Sequence, residues 1–171
     1  MPPRPVREPL TPTDVETITR QLGRPPRGAI AVASRCPCGD PVVVQTSPRL
    51  PDGTPFPTLY YLTCPRAASA IGTLESSGLM REMEERLTTD VTLAAQYRTA
   101  HESYIAERDA IDSVGEVSGV SAGGMPSRVK CLHVLAAHSL ACGPGVNPLG
   151  DEVVAALGEW WATGSCTEAD A

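Results

Sequence analysis

The sequence predicts a single α+β domain: a small three-stranded antiparallel sheet, arranged as a meander, packed against about five helices. Three observations lead there. Short β-branched or aromatic runs occur early, at GAIAVAS (28–34), PVVVQ (41–45) and TLYYLT (58–63), separated by turn residues. Helical spacing with cap and stop signals governs most of the remainder. A chain of 171 residues is also long enough for one hydrophobic core, and its 17 prolines and 15 glycines fall at turns and termini rather than in repeats.

Residues 1–10 are rich in proline and arginine, which predicts a disordered segment ahead of a domain over 11–162. A first helix is expected over 13–22, capped by Thr11 or Thr13 and stopped by Gly23 and Pro25. Val15, Ile18 and Leu22 form its apolar stripe. The first two strands are joined by Cys36-Pro37-Cys38-Gly39. A loop over 48–57, with an Asp52-Gly53 turn, leads to the third. In a meander the first strand ends, the second begins and the third ends at one edge of the sheet, so Cys36, Cys38 and Cys64 meet there.

Pro65 suits the first turn of a helix that runs to about residue 77, before Gly78. A further segment turns Leu79, Met80, Met83 and Leu87 inward. Asp90 caps a longer helix over 91–113, and 115–124 forms a flexible loop. Another helix is expected from about Pro126 to Cys142-Gly143-Pro144. Asn147-Pro148 then starts a last helix reaching Trp160 or Trp161. The acidic stretch 163–171 is expected to be a flexible tail.

Composition narrows the function. The net charge of −6 argues against general nucleic-acid binding, which depends on neutralising phosphates. Arg20, Arg24, Arg27 and Arg35 form a local basic group around the first strand. A solvated loop is its commoner meaning, although a small acidic ligand would also fit. No run approaches the roughly 18 apolar residues of a membrane span, and MPPRPVREPL lacks an apolar leader core. A cytosolic protein is therefore expected. Reduced thiols there make the six cysteines ligands or small buried hydrophobes rather than disulfides.

The cysteines carry most of the chemistry. Cys36-x-Cys38 offers two thiolates, one residue short of the spacing in a zinc knuckle, and alternation along a strand can point the two sulfurs apart. Cys64 precedes a helix whose positive end favours a thiolate, either as ligand or as nucleophile. In a helix starting near Pro126, Cys131 and His133 lie about 200° apart. That helix then gives one ligand, Cys131, and leaves His133 as an acid/base or substrate-facing group. Buried cysteine is the plain alternative at each position. His101 and Arg108 share an inward helical face with Tyr97 and Tyr104; His101 suits a ligand or acid/base role and Arg108 an anion. Cys142, after a helix end, and Cys166, in the tail, carry no such signal. Gly123-Gly124 before Pro126 is a weak phosphate-loop signal, better read as a hinge.

RCPCG (35–39), PFPTLYYLTCP (55–65), HESYIAER (101–108), GGMPSRVKCLH (123–133) and NPLG (147–150) occur in an order that resembles the uncharacterised bacterial family catalogued as domain of unknown function 501. The resemblance covers roughly residues 13–158 and implies weight on Cys36, Cys64, His101, Arg108, Cys131 and His133. It also implies that Cys38 is replaceable. A second histidine common in the family would fall at Leu135 here, and its absence counts against a histidine-rich dinuclear site. Neighbouring cell-division and polyphosphate-hydrolase genes are an association the resemblance carries without a mechanism.

The leading expectation is a metal-binding protein with zinc held by Cys36, Cys64 and Cys131, and by Cys38 or His101 as the fourth ligand. The site is then structural or, with an open position, hydrolytic, using His101 or His133 as acid/base and Arg108 to hold a small anion. An iron–sulfur cluster lacks its usual cysteine runs. Two alternatives stand beside it. One is a metal-free thiol enzyme with Cys64 or Cys131 as nucleophile and His101 or His133 as base. The other is a non-catalytic module for a protein partner in division or envelope growth.

Overall fold

The Thr11 hydroxyl accepts the Asp14 amide at 3.1 Å, while Asp14 Oδ2 accepts the Thr11 amide at 3.1 Å, a reciprocal capping box. Helix α1 (Pro12–Leu22) follows, and Gly23 leaves it in the left-handed conformation at φ 70°. The computed structural model describes residues 6–167. Only Ile18 of the expected apolar stripe is fully buried; Val15 is exposed and Leu22 half-buried. The inward face carries Asp14, Thr17 and Gln21, and two of these polar groups have partners that make burial tolerable. Asp14 bonds Arg35 at 2.9 Å, and the Gln21 amide donates to Pro41 O and Cys166 O.

The strands β2 (Ala29–Arg35), β3 (Pro41–Thr46) and β4 (Tyr60–Leu62) form the expected antiparallel meander. The sheet nevertheless has four strands among the described residues. Its edge is a short β1 (Glu8–Pro9), in which Glu8 pairs with Val32 and Pro9 with Ala31. Disorder over the whole of 1–10 is therefore corrected for residues 6–10, while 1–5 lie outside the described residues. Side chains account for the difference. Arg7 donates to Ala141 O at 2.6 Å and to Tyr60 Oη at 2.7 Å, and Arg35 grips Glu8 at 2.8 Å. A proline-rich strand only two residues long needs such anchors.

Six helices occur among the described residues, where about five were expected. After α1 come α2 (Pro65–Glu75), α3 (Leu79–Thr89) and α4 (Val91–Asp109), the last capped by Asp90. Helix α5 (Leu132–Cys142) lies at the centre, against β4, β2 and β3 on one side and α2 and α6 (Pro148–Leu157) on the other. It is buried nearly all round, through Leu132, Leu135, Ala136, Ala137, His138 and Ala141 among others. At the α5–α6 crossing a Cβ on Gly150 would stand 2.2 Å from Leu135 O, so glycine sets the approach.

The helix expected from Pro126 starts six residues later. Residues 123–130 form a tight turn instead, with Arg128 N–H donating to Gly124 O and Lys130 N–H to Gly123 O, both at 2.8 Å. Gly124 has φ 96°, and a Cβ there would meet Arg128 C and O at 2.8 Å. Glu84 from α3 accepts Arg128 Nε at 2.8 Å and Val129 N–H at 2.9 Å, and Tyr97 donates to Arg128 O at 2.9 Å. This bracing leaves Cys131 extended, at φ −151°, as the residue that opens α5. No described helix is long and apolar enough to cross a membrane.

Candidate functional site

Where β2 ends, the chain reverses through Cys36-Pro37-Cys38-Gly39. Cys36 N–H donates to Asp40 O and Gly39 N–H to Cys36 O, both at 2.8 Å. This turn holds two sulfurs, and a third comes from the far end of the sequence. Cys36 Sγ and Cys166 Sγ are 3.6 Å apart. With Cys38 they form a group whose ligand atoms all lie within 4.8 Å of one another. Cys36 and Cys166 are buried and Cys38 is exposed.

Four side chains hold Cys166 there. Gln21 donates to Cys166 O at 2.9 Å, Arg66 Nε to Ser165 O at 3.1 Å, and Thr167 Oγ1 to Asp40 Oδ2 at 2.7 Å. Trp160, stacked edge-on against Trp161 with ring centroids 4.7 Å apart, belongs to the same buried cluster as Cys36, Cys64 and Cys166. Where acidic composition predicts a flexible tail from Thr163, residues 163–167 thus lie on the domain; 168–171 are outside the described residues. Burial pushes the Cys36 thiol up, and burial together with hydrogen bonding to Cys38 and Cys36 raises that of Cys166.

Cys64 comes to the same end of the sheet, as the meander requires. Thr63 N–H donates to Val42 O at 2.9 Å and its hydroxyl to Pro41 O at 3.2 Å, which seats Cys64 beside the start of β3. It is fully buried at the mouth of α2 and lies outside the group of three whose ligand atoms are all within 4.8 Å of one another.

Cys131 is in a second cluster, with His133 and Glu75, whose ligand atoms also lie within 4.8 Å of one another. The expected 200° separation of Cys131 and His133 does not arise, because Cys131 precedes the helix and helical spacing does not apply across the pair. Glu75 Oε1 accepts Leu132 N–H and His133 Nδ1–H, each at 2.9 Å, and His133 Nε2–H reaches Ala68 O at 3.1 Å. Cys131 makes no side-chain cap bond of its own, so Glu75 caps α5 from another helix. The neighbouring Cys131 sulfur, opposed by burial and reinforced by Glu75, pushes His133 up to about 9. Burial raises the Cys131 thiol, but the neighbouring His133 ring and the amide end of α5 outweigh it and hold the thiol below its usual value. Cys131 and His133 line a cleft of about 650 Å³.

Comparison with known families matches residues 32–155 to a model described as "Protein of unknown function (DUF501)". The chain belongs to this family. No curated protein and no solved structure matches this DUF501 chain. The matched span contains Cys36, Cys38, Cys64 and the whole Glu75–Cys131–His133 cluster, whereas Cys166 lies beyond it.

The DUF501 structure brings His101 and Arg108 to neither cluster. His101 Nδ1 bonds Ser121 Oγ at 2.7 Å, and burial followed by the Arg98 charge lowers its pKa. Arg108 is fully buried on α4, donating to Pro57 O at 3.1 Å and Val117 O at 2.8 Å. Its guanidinium joins two loops and does not face an open anion site. Sequence reasoning passed over Cys166 and Glu75, although each had a faint signal. Two adjacent tryptophans need burial and draw the following residues onto the core. An acidic residue in the last turn of a helix, as Glu75 is, opposes the helix dipole and suggests a partner elsewhere.

Proposed function

We propose that this DUF501 protein is a zinc-binding protein whose structural centre is formed by Cys36, Cys38 and Cys166, with Cys64 as the fourth thiolate. The Cys36–Cys166 separation carries the reading. Two sulfurs bound to one tetrahedral zinc at about 2.3 Å stand about 3.8 Å apart, whereas a disulfide brings them to about 2.05 Å. The observed separation is 3.6 Å. An all-sulfur set suits zinc and excludes hard oxygen-seeking cations.

Burial supports a structural role. Cys36, Cys64 and Cys166 are 3%, 0% and 4% exposed, and four protein ligands leave no position for a reacting water. The ion would fasten the β2–β3 turn, the start of α2 and the C-terminal segment to one point. Hydrogen bonds from Gln21, Arg66 and Thr167 already hold the last of these on the domain. A divalent charge also reverses the effect of burial on the thiols, by holding them as thiolates.

Cobalt substitution tests this assignment. The Co²⁺ protein is expected to show sulfur-to-cobalt charge-transfer bands and the strong visible bands of a tetrahedral ion, both bleached by zinc. Weak visible absorption, as from five- or six-coordinate cobalt, would sink the closed four-thiolate centre.

A further inference from the structure

Cys131 and His133 form a separate group from Cys36, Cys38 and Cys166, and the sulfur centre leaves them without a role. The surroundings of His133 define its state. Its two ring nitrogens face Glu75 Oε1 at 2.9 Å and Ala68 O at 3.1 Å. A backbone carbonyl only accepts, and Glu75 Oε1 already accepts the Leu132 amide. A neutral imidazole has one N–H and could serve only one of these oxygens. The arrangement calls for the doubly protonated ring. With both nitrogens donating, neither is available to a metal, which separates this cluster from the sulfur centre.

A fixed imidazolium beside Cys131, with ligand atoms within 4.8 Å, favours the thiolate, as does the position of Cys131 at the N-terminus of α5. The charged groups facing Cys131 are His133 from α5 and Glu75 from α2. Glu75 opposes the thiolate and His133 favours it. In front of the pair lies the cleft, within the size range of small-molecule sites. Leu22, Tyr61, Leu62, Pro65, Ala68 and Val134 give it mainly apolar walls.

We propose that Cys131 is a nucleophilic thiolate that accepts an apolar acyl group from a thioester bound in this cleft. The chemistry of His133 selects the donor. Its N–H groups are committed to Glu75 and Ala68, so it serves as a fixed charge and not as a proton shuttle. Alcohol and amine leaving groups need a proton in order to depart; a thiolate does not. In the step, a lone pair on Cys131 Sγ forms a bond to the carbonyl carbon, and the carbon–sulfur bond of the donor breaks. Its electron pair leaves on the donor sulfur. One thioester and one thiolate are consumed and one of each is formed, with no external proton or oxidant. Attack on a disulfide would balance in the same way; the mainly apolar walls of the cleft favour an acyl chain.

The test uses the full zinc-loaded chain and hexanoyl-N-acetylcysteamine. Acid-quenched samples are expected to carry one hexanoyl group, mapped by peptide mass to Cys131, with an equal amount of free N-acetylcysteamine. In parallel, iodoacetamide is expected to alkylate Cys131 at pH 7 at least about ten-fold faster than an ordinary thiol, of which only a few per cent is ionised. His133→Gln is expected to remove that advantage. Should the variant not fold, the wild-type pH–rate curve decides: a midpoint near 8.5, the free-thiol value, overturns the thiolate. Fast alkylation without acyl transfer overturns the thioester donor. Acylation mapped to Cys36, Cys38 or Cys166 overturns the site.

Discussion

Replacing Cys166 with alanine isolates the contribution of the C-terminal segment to the metal centre. Structural zinc sites release about 10–16 kcal/mol on binding, so one thiolate of four represents about 3 kcal/mol, or roughly 150-fold in affinity. The substitution also removes a buried sulfur, a loss of about 1 kcal/mol in packing alone. Cys142→Ala controls for that second effect, because Cys142 is equally buried, at 4% exposure, and its sulfur meets Arg7 and Glu107. Competition with a chromophoric zinc chelator at pH 7 reads the difference. Cys166→Ala is expected to yield zinc about two orders of magnitude more readily than either the wild type or Cys142→Ala. Affinity within about twofold of wild type would refute the placement of Cys166 as a ligand. Equal weakening by both substitutions would show packing rather than ligation.

Other perturbations probe the framework around the two clusters. Gly124→Ala forces a residue with φ 96° to carry a Cβ 2.8 Å from Arg128 O, and is expected to destabilise the chain by about 2 kcal/mol or more in urea unfolding. Arg7→Met removes donors from Ala141 O and Tyr60 Oη, and should lower stability by about 2–3 kcal/mol in the same assay; no change would mean that β1 is not anchored through Arg7. The hydrogen bond from Arg35 holds the Asp14 carboxyl below its ordinary value of 3.8 despite burial. Its stabilising effect is therefore complete above about pH 4 and is lost as pH falls through the folded-state value. Asp14→Asn should lower stability at pH 7 and flatten the acid limb of a pH–stability curve; a limb as steep as wild type would contradict this linkage.

Much of the fold was legible because local signals and the global arrangement agree. The meander follows from three β-rich runs and their turns, and Asp90 and Asn147 cap the helices that their positions suggest. The sequence was misleading where tertiary contacts override composition. Residues 7–9 look disordered until Arg7 reaches Tyr60 and Ala141. Pro126 looks like a helix start until Gly123, Gly124 and Glu84 shape a turn around it.

The same distinction holds at the site. Cys36, Cys38 and Cys64 lie at one end of the sheet because strand direction fixes where strands end, although Cys64 is outside the group within 4.8 Å. Cys166 is 130 residues from Cys36, and no local pattern records that pairing. The helical-wheel separation of Cys131 from His133 depended on a helix boundary, the least secure part of any sequence reading. Moving that boundary past Cys131 turns two residues on opposite faces into one cluster with Glu75. His101 and Arg108 share the inward face of α4 as their spacing suggests, but their polar atoms serve Ser121 and two loop carbonyls.

Metal content and chelator response test the central claim most directly. Full-length protein prepared without an affinity tag, under reducing conditions, should contain one zinc per chain and melt at a markedly lower temperature once a strong chelator has removed it. Protein that holds neither zinc nor iron, and whose melting the chelator leaves unchanged, would contradict a metal centre at Cys36, Cys38, Cys64 and Cys166.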